Sequence, residues 1–277
     1  MLSIFMLRDI ITRSLKEDIG SGDLTTQYAV PPEASGEARI FAKQKGVICG
    51  LPVAEAVFEV LDPQVQCRRL VAEGAQVEPG CPVFAVSGSL RSILTGERTA
   101  LNFIQHLSGI ATKTAAWVKE LEAYPVRLAD TRKTTPGLRL LEKYAVLTGG
   151  ACNHRLALDG GILIKENHIR AAGGISAAVQ AIREKAPFTL RIEIEVTTLA
   201  ELEEALAAQP DLILLDNMDV EMMRRAVEIT AGRTLLEASG NITFERLREV
   251  AATGVDYISS GALTHSFKSL DLSLLIS

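Results

Sequence analysis

From Val126 onward, short apolar runs of β-branched residues and leucine alternate with stretches of helical period, and this alternation restricts the fold more than any other feature of the chain. The runs are VRLAD at 126–130, ILIK at 162–165, LRIEIEV at 190–196, LILLD at 212–216, TLLEAS at 234–239 and YISS at 257–260. Strands separated by helices pair in parallel, and the repeated unit is that of a (β/α) barrel. Six strands are legible, and one or two more are expected to be hidden. AVLTGGA at 145–151 reads as a turn. Helix starts are expected at Thr198, whose spacing to Glu201 is that of a capping box, at Asp219 before VEMMRRAVEI, and at Thr243 before FERLREVAA.

The first third reads differently. Leu7–Glu17 is amphipathic, and 38–42, 65–71 and 83–86 are short β-like runs between glycines and prolines, which together predict a small α+β unit. From about Ser89 to Tyr124 the pattern is helical, with an interruption expected near Gly109. VAEGAQVEPGCPVFAV at 71–86 has the punctuation of a lipoyl-carrier hammerhead, but no lysine stands between Val71 and Leu90 to be modified.

At 277 residues with 47% hydrophobic content, the chain can bury a large core. The apolar start, Met1–Leu7, has no basic segment before it and ends at Arg8 and Asp9, too soon for a signal peptide or a membrane span, so a cytoplasmic protein is expected. Cys49, Cys67, Cys81 and Cys152 lack the spacing of a zinc site or a disulfide framework and are expected to be buried free thiols. A net charge of −5 argues against a general nucleic-acid or membrane surface, so any anionic ligand needs a local cationic cluster. Residues 132–170 supply one, with seven Lys and Arg against three Asp and Glu.

A (β/α) barrel carries its site at the C-terminal ends of its strands. Reading those ends gives Arg132 and Lys133, Lys165, Glu195, Asp216, Ser239 and Gly240, and Ser260 and Gly261. Cations, carboxylates and small polar turns therefore meet in one mouth. Lys165 ends the apolar run GGILI, where a charge is costly unless it meets an anion. Glu193 is an alternative to Glu195, because alternation puts both on one face. In DTRKTTPG at 130–137, Thr135 is expected to cap a helix opened by Pro136, which would set Arg132 and Lys133 beside a helix N-terminus that favours anions. His154 and His168 each stand beside such a cation, and neither shares metal-ligand spacing with a carboxylate or cysteine.

Longer motifs carry a resemblance. TRKTTPGLRLLEKYAV at 131–146, GGACNHR at 149–155, LIKENHI at 163–169, IEIEV at 192–196, LLDNM at 214–218, EASGNI at 237–242 and SSGALTHS at 259–266 resemble the quinolinate phosphoribosyltransferases, as do EDIGSGDLTT at 17–26 and ERTALNFIQHLSGIAT at 97–112. The resemblance implies an α/β fold. An N-terminal α+β sandwich domain would cover 1–108, with 267–277 returning to it, and an incomplete (β/α) barrel of fewer than eight strands would cover 109–266. It implies transfer from phosphoribosyl pyrophosphate to quinolinate with decarboxylation, giving nicotinate mononucleotide. Arg98, Arg132, Arg155 and Lys165 would hold the two carboxylates, with His154 and Thr131 beside them. Lys133, Glu195, Asp216 and the turns Ser239–Gly240–Asn241 and Ser260–Gly261–Ala262 would hold phosphoribosyl pyrophosphate and its Mg²⁺. Lys133, Lys165, Glu195 and Asp216 would form the catalytic set. It further implies a homodimer, or a hexamer of dimers, in which Arg98 completes a neighbour's site. Two positions depart from the family pattern: Ala151 stands for a third glycine and Gly160 for an aspartate.

Two other readings use the same residues. A related pyrophosphorylase-like protein of molybdate transport is the nearer one, although LIKENH at 163–168 favours the quinolinate enzyme. An aldolase-like barrel would use Lys165 as a Schiff-base amine.

Overall fold

The computed structural model describes residues 4–276; the first three residues of the apolar start, 1–3, lie outside the described residues. In chain order the elements are α1 Ile4–Ile19, α2 Leu24–Ala29, β1 Ser35–Ala42, β2 Gly46–Val47, α3 Leu51–Leu61, β3 Gln66–Arg69, β4 Gln76–Val77, β5 Pro82–Ser89 and α4 Leu90–Glu120. They continue with β6 Arg127–Ala129, α5 Arg139–Thr148, β7 Ile162–Ile164, α6 Glu166–Ala172, α7 Ile175–Arg183, β8 Ile192–Val196 and α8 Leu199–Ala207. The last are β9 Leu212–Asp216, α9 Val220–Thr230, β10 Leu235–Ser239, α10 Leu247–Ala251, β11 Tyr257–Ser259, α11 Ala262–His265 and β12 Leu272–Ile276.

Two compact units result. The first comprises residues 1–115, 140–150 and 267–277, and the second residues 116–139 and 151–266. In the first, an antiparallel sheet of order β12-β1-β5-β3 is formed partly by the chain's last strand, which pairs with β1 from Ala38 opposite Ile276 to Ala42 opposite Leu272. Its core includes Phe58 stacked on Phe84 and the buried Ile40, Val53 and Ile104. The hammerhead-like segment supplies β4, paired with β2, and β5 in the middle of this sheet.

In the second unit all six expected strands form one parallel sheet of order β6-β11-β10-β9-β8-β7. Among the described residues no further strand joins it. A single parallel bridge between Ala129 and Cys152 lies beside the edge strand β6. The register explains how the sheet is buried. Ile194, Ile213 and Leu236 share one row, and Val196, Leu215, Ala238 and Ile258 another on the same face, all at most 3% exposed. The rows between them face the other way and carry Glu195, Leu214, Glu237 and Tyr257 side by side. The sheet is thus apolar on one face and acidic on the other, unlike the wholly apolar strands usual in parallel sheets.

Some helix boundaries differ from expectation. Asp219 caps α9 through Met222 N at 2.8 Å, as expected. Thr198 caps α8 through Glu201 N, but the Glu201 carboxylate reaches back to Thr197 N at 2.7 Å and so completes the box one residue early. Thr243 opens a turn, and α10 starts only at Leu247. Pro136 does not open α5. Gly137 adopts φ +81°, outside the right-handed helix, so residues 136–138 form a turn and the helix begins at Arg139. Arg132 and Lys133 therefore lie in a loop after β6, and the start of α5 is displaced from them to Arg139. Of the cysteines only Cys49 is buried, and the other three are half-exposed free thiols.

The expected break at Gly109 is absent, because α4 runs unbroken through it. A Cβ at Gly109 would lie 2.4 Å from the carbonyl oxygen of Lys268 and 2.9 Å from Ser269 Cα, in the segment leading to β12. Here glycine permits close approach rather than ending a helix. The two effects oppose each other in sign. Helix propensity favours Gly109→Ala by about 1 kcal/mol, whereas overpacking against backbone costs about 1–3 kcal/mol. The contact is too short to relax by rotating a side chain, so the expected outcome is a net loss of stability, seen as a lower urea midpoint. A midpoint equal to or above that of the wild type would show that the segment after Phe267 can shift away from α4.

Candidate active site

The C-terminal ends of the six strands surround a cavity of about 910 Å³. Every substrate-holding residue that the resemblance implies lines it except Arg98, and of the further candidates Glu193 does not. Arg98 stands exposed on α4 in the first unit. His168 also stays out of the cavity, with its Nδ1 accepting from Lys165 N at 2.9 Å and so capping α6.

Two turns fix one side of the mouth. Asn217 follows β9 at φ +56° and accepts from Asn241 Nδ2 at 2.9 Å, while its own amide donates to Asp216 at 2.8 Å. Gly240 follows β10 at φ +86°, and a Cβ there would sit 2.2 Å from Asn217 Oδ1. The glycine therefore lets the two turns interlock and hold Asp216 in the mouth. After β11, Ser260 Oγ accepts from Ala262 N at 3.2 Å and donates to Ile242 O at 3.3 Å, so this hydroxyl shapes its turn. The side-chain stem of Lys133 lies over Gly261, where a Cβ would meet Lys133 Cδ at 2.8 Å.

Cations form the opposite side. Arg155 donates through Nη1 to Gly161 O at 2.9 Å. Burial first, and then the nearby Arg132 charge, push the Arg155 pKa down, with Glu193 opposing. The Nε atoms of Arg132 and Arg155 are both buried, and neither has a hydrogen-bond partner among the described residues. Lys165 is paired with Glu195, which is mostly buried. Buried guanidinium N–H groups left unpaired are costly, so this wall is built to receive anionic oxygens.

The floor is acidic, and sequence spacing gave little sign of it. Asp130, at the end of β6 and fully buried, accepts from Asn153 Nδ2 at 2.6 Å and from His154 N at 2.8 Å, and so holds the His154 loop against the sheet. His154 Nδ1 accepts from Arg155 N at 2.7 Å. That leaves the proton on Nε2, which lies 3.0 Å from Glu193 and 3.7 Å from Glu237. His154 thus engages the floor as well as the cavity. Both glutamates are buried, and with His154 they bring one ligand atom each within 4.8 Å of one another. The sequence clue was Glu237, which falls on the inward row of β10, separated from Glu195 in that row by Leu214, and is charged where a core residue is expected.

Family profiles for the quinolinate phosphoribosyl transferase C-terminal and N-terminal domains match residues 110–275 and 23–108. The chain belongs to this family. It is 49% identical over 265 residues to a Synechocystis protein named probable nicotinate-nucleotide pyrophosphorylase (carboxylating), covering 95% of this chain and 90% of that one. It is 42% identical over 289 residues to a tobacco quinolinate phosphoribosyltransferase (decarboxylating), covering 98% and 82%. The solved structure of NadC from Streptococcus pyogenes superposes with a TM-score of 0.95 at 43% identity, covering 100% and 99%. Human nicotinic acid phosphoribosyltransferase, at 16% identity and a TM-score of 0.61, shares the fold alone.

The floor has a consequence for stability in this family member. Burial, and then the neighbouring Glu193, push Glu237 up from 4.5 to about 7, while His154, Ser259 and Lys165 oppose. A raised carboxyl pKa means that the folded state holds a proton the unfolded state releases. The associated stability is complete below about pH 4.5 and is lost as pH rises through about 7. Glu237→Gln removes this titration. The variant should gain stability relative to wild type between pH 5 and pH 8, measured by urea unfolding across that range. A pH-independent difference would show that Glu237 stays ionised throughout.

Proposed function

We propose that the chain transfers the phosphoribosyl group of phosphoribosyl pyrophosphate to the ring nitrogen of quinolinate and releases CO₂, giving nicotinate mononucleotide. The observation that carries this reading is that Arg132, Arg155 and Lys165 line one cavity together, with the Nε atoms of both arginines buried and without partners among the described residues. A dicarboxylate supplies the oxygens this wall lacks. Family membership and the relatives named for this reaction support the same conclusion.

The reaction needs no covalent nucleophile. The pyridine nitrogen attacks the anomeric carbon as pyrophosphate leaves, so catalysis rests on positioning and electrostatics. Arg132, Arg155 and Lys165 fix the ring through its carboxylates. Glu195 holds the Lys165 ammonium in place and so ties the clamp to the ribose side of the mouth. Lys133 and the interlocked turns bearing Asp216 and Asn241 face the phosphates and ribose, and Ser239 lines the same mouth. The hard oxygen donors of Asp216, Asn217 and Asn241 suit Mg²⁺, which when bound with phosphoribosyl pyrophosphate supplies positive charge to the departing pyrophosphate. After N-alkylation the ring's positive charge stabilises the electron pair left on C2 as CO₂ departs.

Incubation with quinolinate, phosphoribosyl pyrophosphate and Mg²⁺ should yield CO₂ and nicotinate mononucleotide in equal amounts. Nicotinate serving equally well would exclude the decarboxylating reaction. Lys165→Ala and Arg155→Ala should each lower kcat/KM for quinolinate by roughly two to three orders of magnitude, because stranding a desolvated carboxylate costs about 3–5 kcal/mol. Normal turnover by either folded variant would remove that residue from the clamp.

Arg98 belongs to a site completed by a neighbouring subunit in this proposal. Its variant then allows a mixing test. Arg98→Ala and Lys165→Ala proteins are each expected to be inactive. In a mixed dimer, one site combines the intact barrel of the first with the intact arginine of the second. Co-refolding equal amounts should restore about a quarter of wild-type activity under two-fold symmetry and random exchange. Dead mixtures with subunit exchange verified by mass spectrometry would place the role of Arg98 within its own chain.

A further inference from the structure

A second cavity, of about 220 Å³, opens at the opposite end of the parallel strands. Ile162, Leu212, Leu235 and Tyr257, each the first residue of its strand, line it. Three residues, His154, Arg155 and Glu237, line both this cavity and the mouth. Glu237 therefore stands where the two cavities come closest through the interior of the sheet.

The hydrogen bonds around Glu237 form a chain toward the mouth. Ser259 Oγ lies 2.5 Å from Glu237 Oε1 and 3.0 Å from Ser239 Oγ. Ser259 has one hydroxyl proton and two oxygen neighbours, so the chain has only two orientations. With Glu237 ionised, Ser259 donates inward to it and accepts from Ser239. With Glu237 protonated, Glu237 donates to Ser259 and Ser259 donates to Ser239, so the chain points outward into the mouth.

Geometry also favours one proton on the acidic pair. Glu193 and Glu237 are 6% and 2% exposed, and they share the His154 ring edge. One oxygen of Glu193 has no hydrogen-bond partner among the described residues. Two adjacent buried carboxylates beside a ring that donates a single N–H cannot both be ionised cheaply. His154, the Ser259 hydroxyl and Lys165 after β7 favour ionisation of Glu237, Glu193 on β8 opposes it, and Arg155 faces Glu193. β9 pairs an uncharged Leu214 with Glu237, and β11 brings Ser259 and Tyr257. Asp216 lies at the mouth, and Arg191 lines the second cavity.

We propose that Glu237 is the proton reservoir of the decarboxylation step, passing its proton through Ser259 and Ser239 to C2 of the pyridine ring and refilling from the second cavity. The proposal rests on the functional reading above and gives that reaction its missing proton. When the C2–carboxylate bond breaks, CO₂ leaves neutral and the electron pair stays on C2. That pair takes the Ser239 hydroxyl proton, Ser239 takes that of Ser259, and Ser259 takes that of Glu237. The acidic pair is left as two carboxylates, and one proton from water restores it. Glu237 acts through the two serines and is a positioning and storage group, not a catalytic residue.

The test joins an infrared titration, independent of activity, to a pH–rate profile. The wild-type protein should show the carbonyl band of a buried protonated carboxyl group at pH 6 that disappears by about pH 8.5, and Glu237→Gln should lack it. Nicotinate mononucleotide formation at saturating substrates should fall above about pH 7 in wild type. In Glu237→Gln it should be at least about tenfold slower and lose that alkaline limb. Glu193→Gln removes a like charge, so its limb should move about one pH unit lower while the maximal rate survives. Ser259→Ala leaves both carboxyl groups in place, so it should keep the band and still lose rate, which covers the case in which Glu237→Gln fails to fold. Unchanged rates and limb in Glu237→Gln and Ser259→Ala overturn the proposal. So does a band that persists in Glu237→Gln and vanishes in Glu193→Gln, because the proton would then reside on Glu193. A wild-type protein with the band but no turnover of quinolinate overturns the functional reading itself, and with it the destination of the proton.

Discussion

Six parallel strands present their C-terminal ends along one edge of a sheet, and every group in the cavity depends on that shared polarity. The β9 and β10 turns show how closely the dependence is drawn. Asn217 and Gly240 interlock only because their strands run in register, with Ser239 opposite Asp216. A one-residue slip in that pairing would turn Asp216 and Ser239 to the apolar face and remove both from the mouth. The apolar face therefore does more than stabilise the unit. By burying Ile194, Ile213, Leu236 and Ala238 under helices, it fixes which residues point inward.

The inward face places opposite charges at different depths. Glu193 and Glu237 sit in the buried floor, Glu195 and Asp216 share the mouth with Arg132, Lys133 and Lys165, and Arg155 is near enough to Glu193 for attraction and to Arg132 for repulsion. His154 separates the layers. Arg155 N holds its Nδ1 as an acceptor and so turns its one N–H toward Glu193. The ring is thereby committed to stabilising the acidic floor, which a cationic rim alone would not do.

The strand rhythm was readable because each run is short, apolar and bounded by helical period, and all six runs became strands of one sheet. The strand ends were readable for the same reason, since barrel geometry converts a position in the run into a place in the mouth. What was not readable depended on contacts between distant segments. Gly109 looks like a helix break until Lys268 is seen lying against it. Pro136 looks like a helix start, and only the φ of Gly137 defers that start to Arg139. His168 and His154 look equivalent beside their cations, yet one caps its own helix and the other faces a buried acid pair. Glu237 is a single charged letter inside LLEAS, and its neighbours Glu193 and Ser259 come from strands 44 residues earlier and 22 later.

The same rim accounts for discrimination and release on the proposed reaction. Two guanidinium groups, Arg132 and Arg155, whose Nε atoms are buried without partners among the described residues, match the two carboxylates of the dicarboxylate. A pyridine with one carboxylate satisfies one guanidinium and leaves the other desolvated. Sites built to pair a substrate group reject analogues lacking it far more strongly than apolar pockets reject a missing methylene. Decarboxylation performs that subtraction within the site. Once the C2 carboxylate has left as CO₂, the product meets the clamp with one carboxylate and a positively charged ring. The rim then repels the ring and again holds an unpaired cation. The charge arrangement that admits a dicarboxylate thus weakens its hold on the mononucleotide as the chemistry is completed.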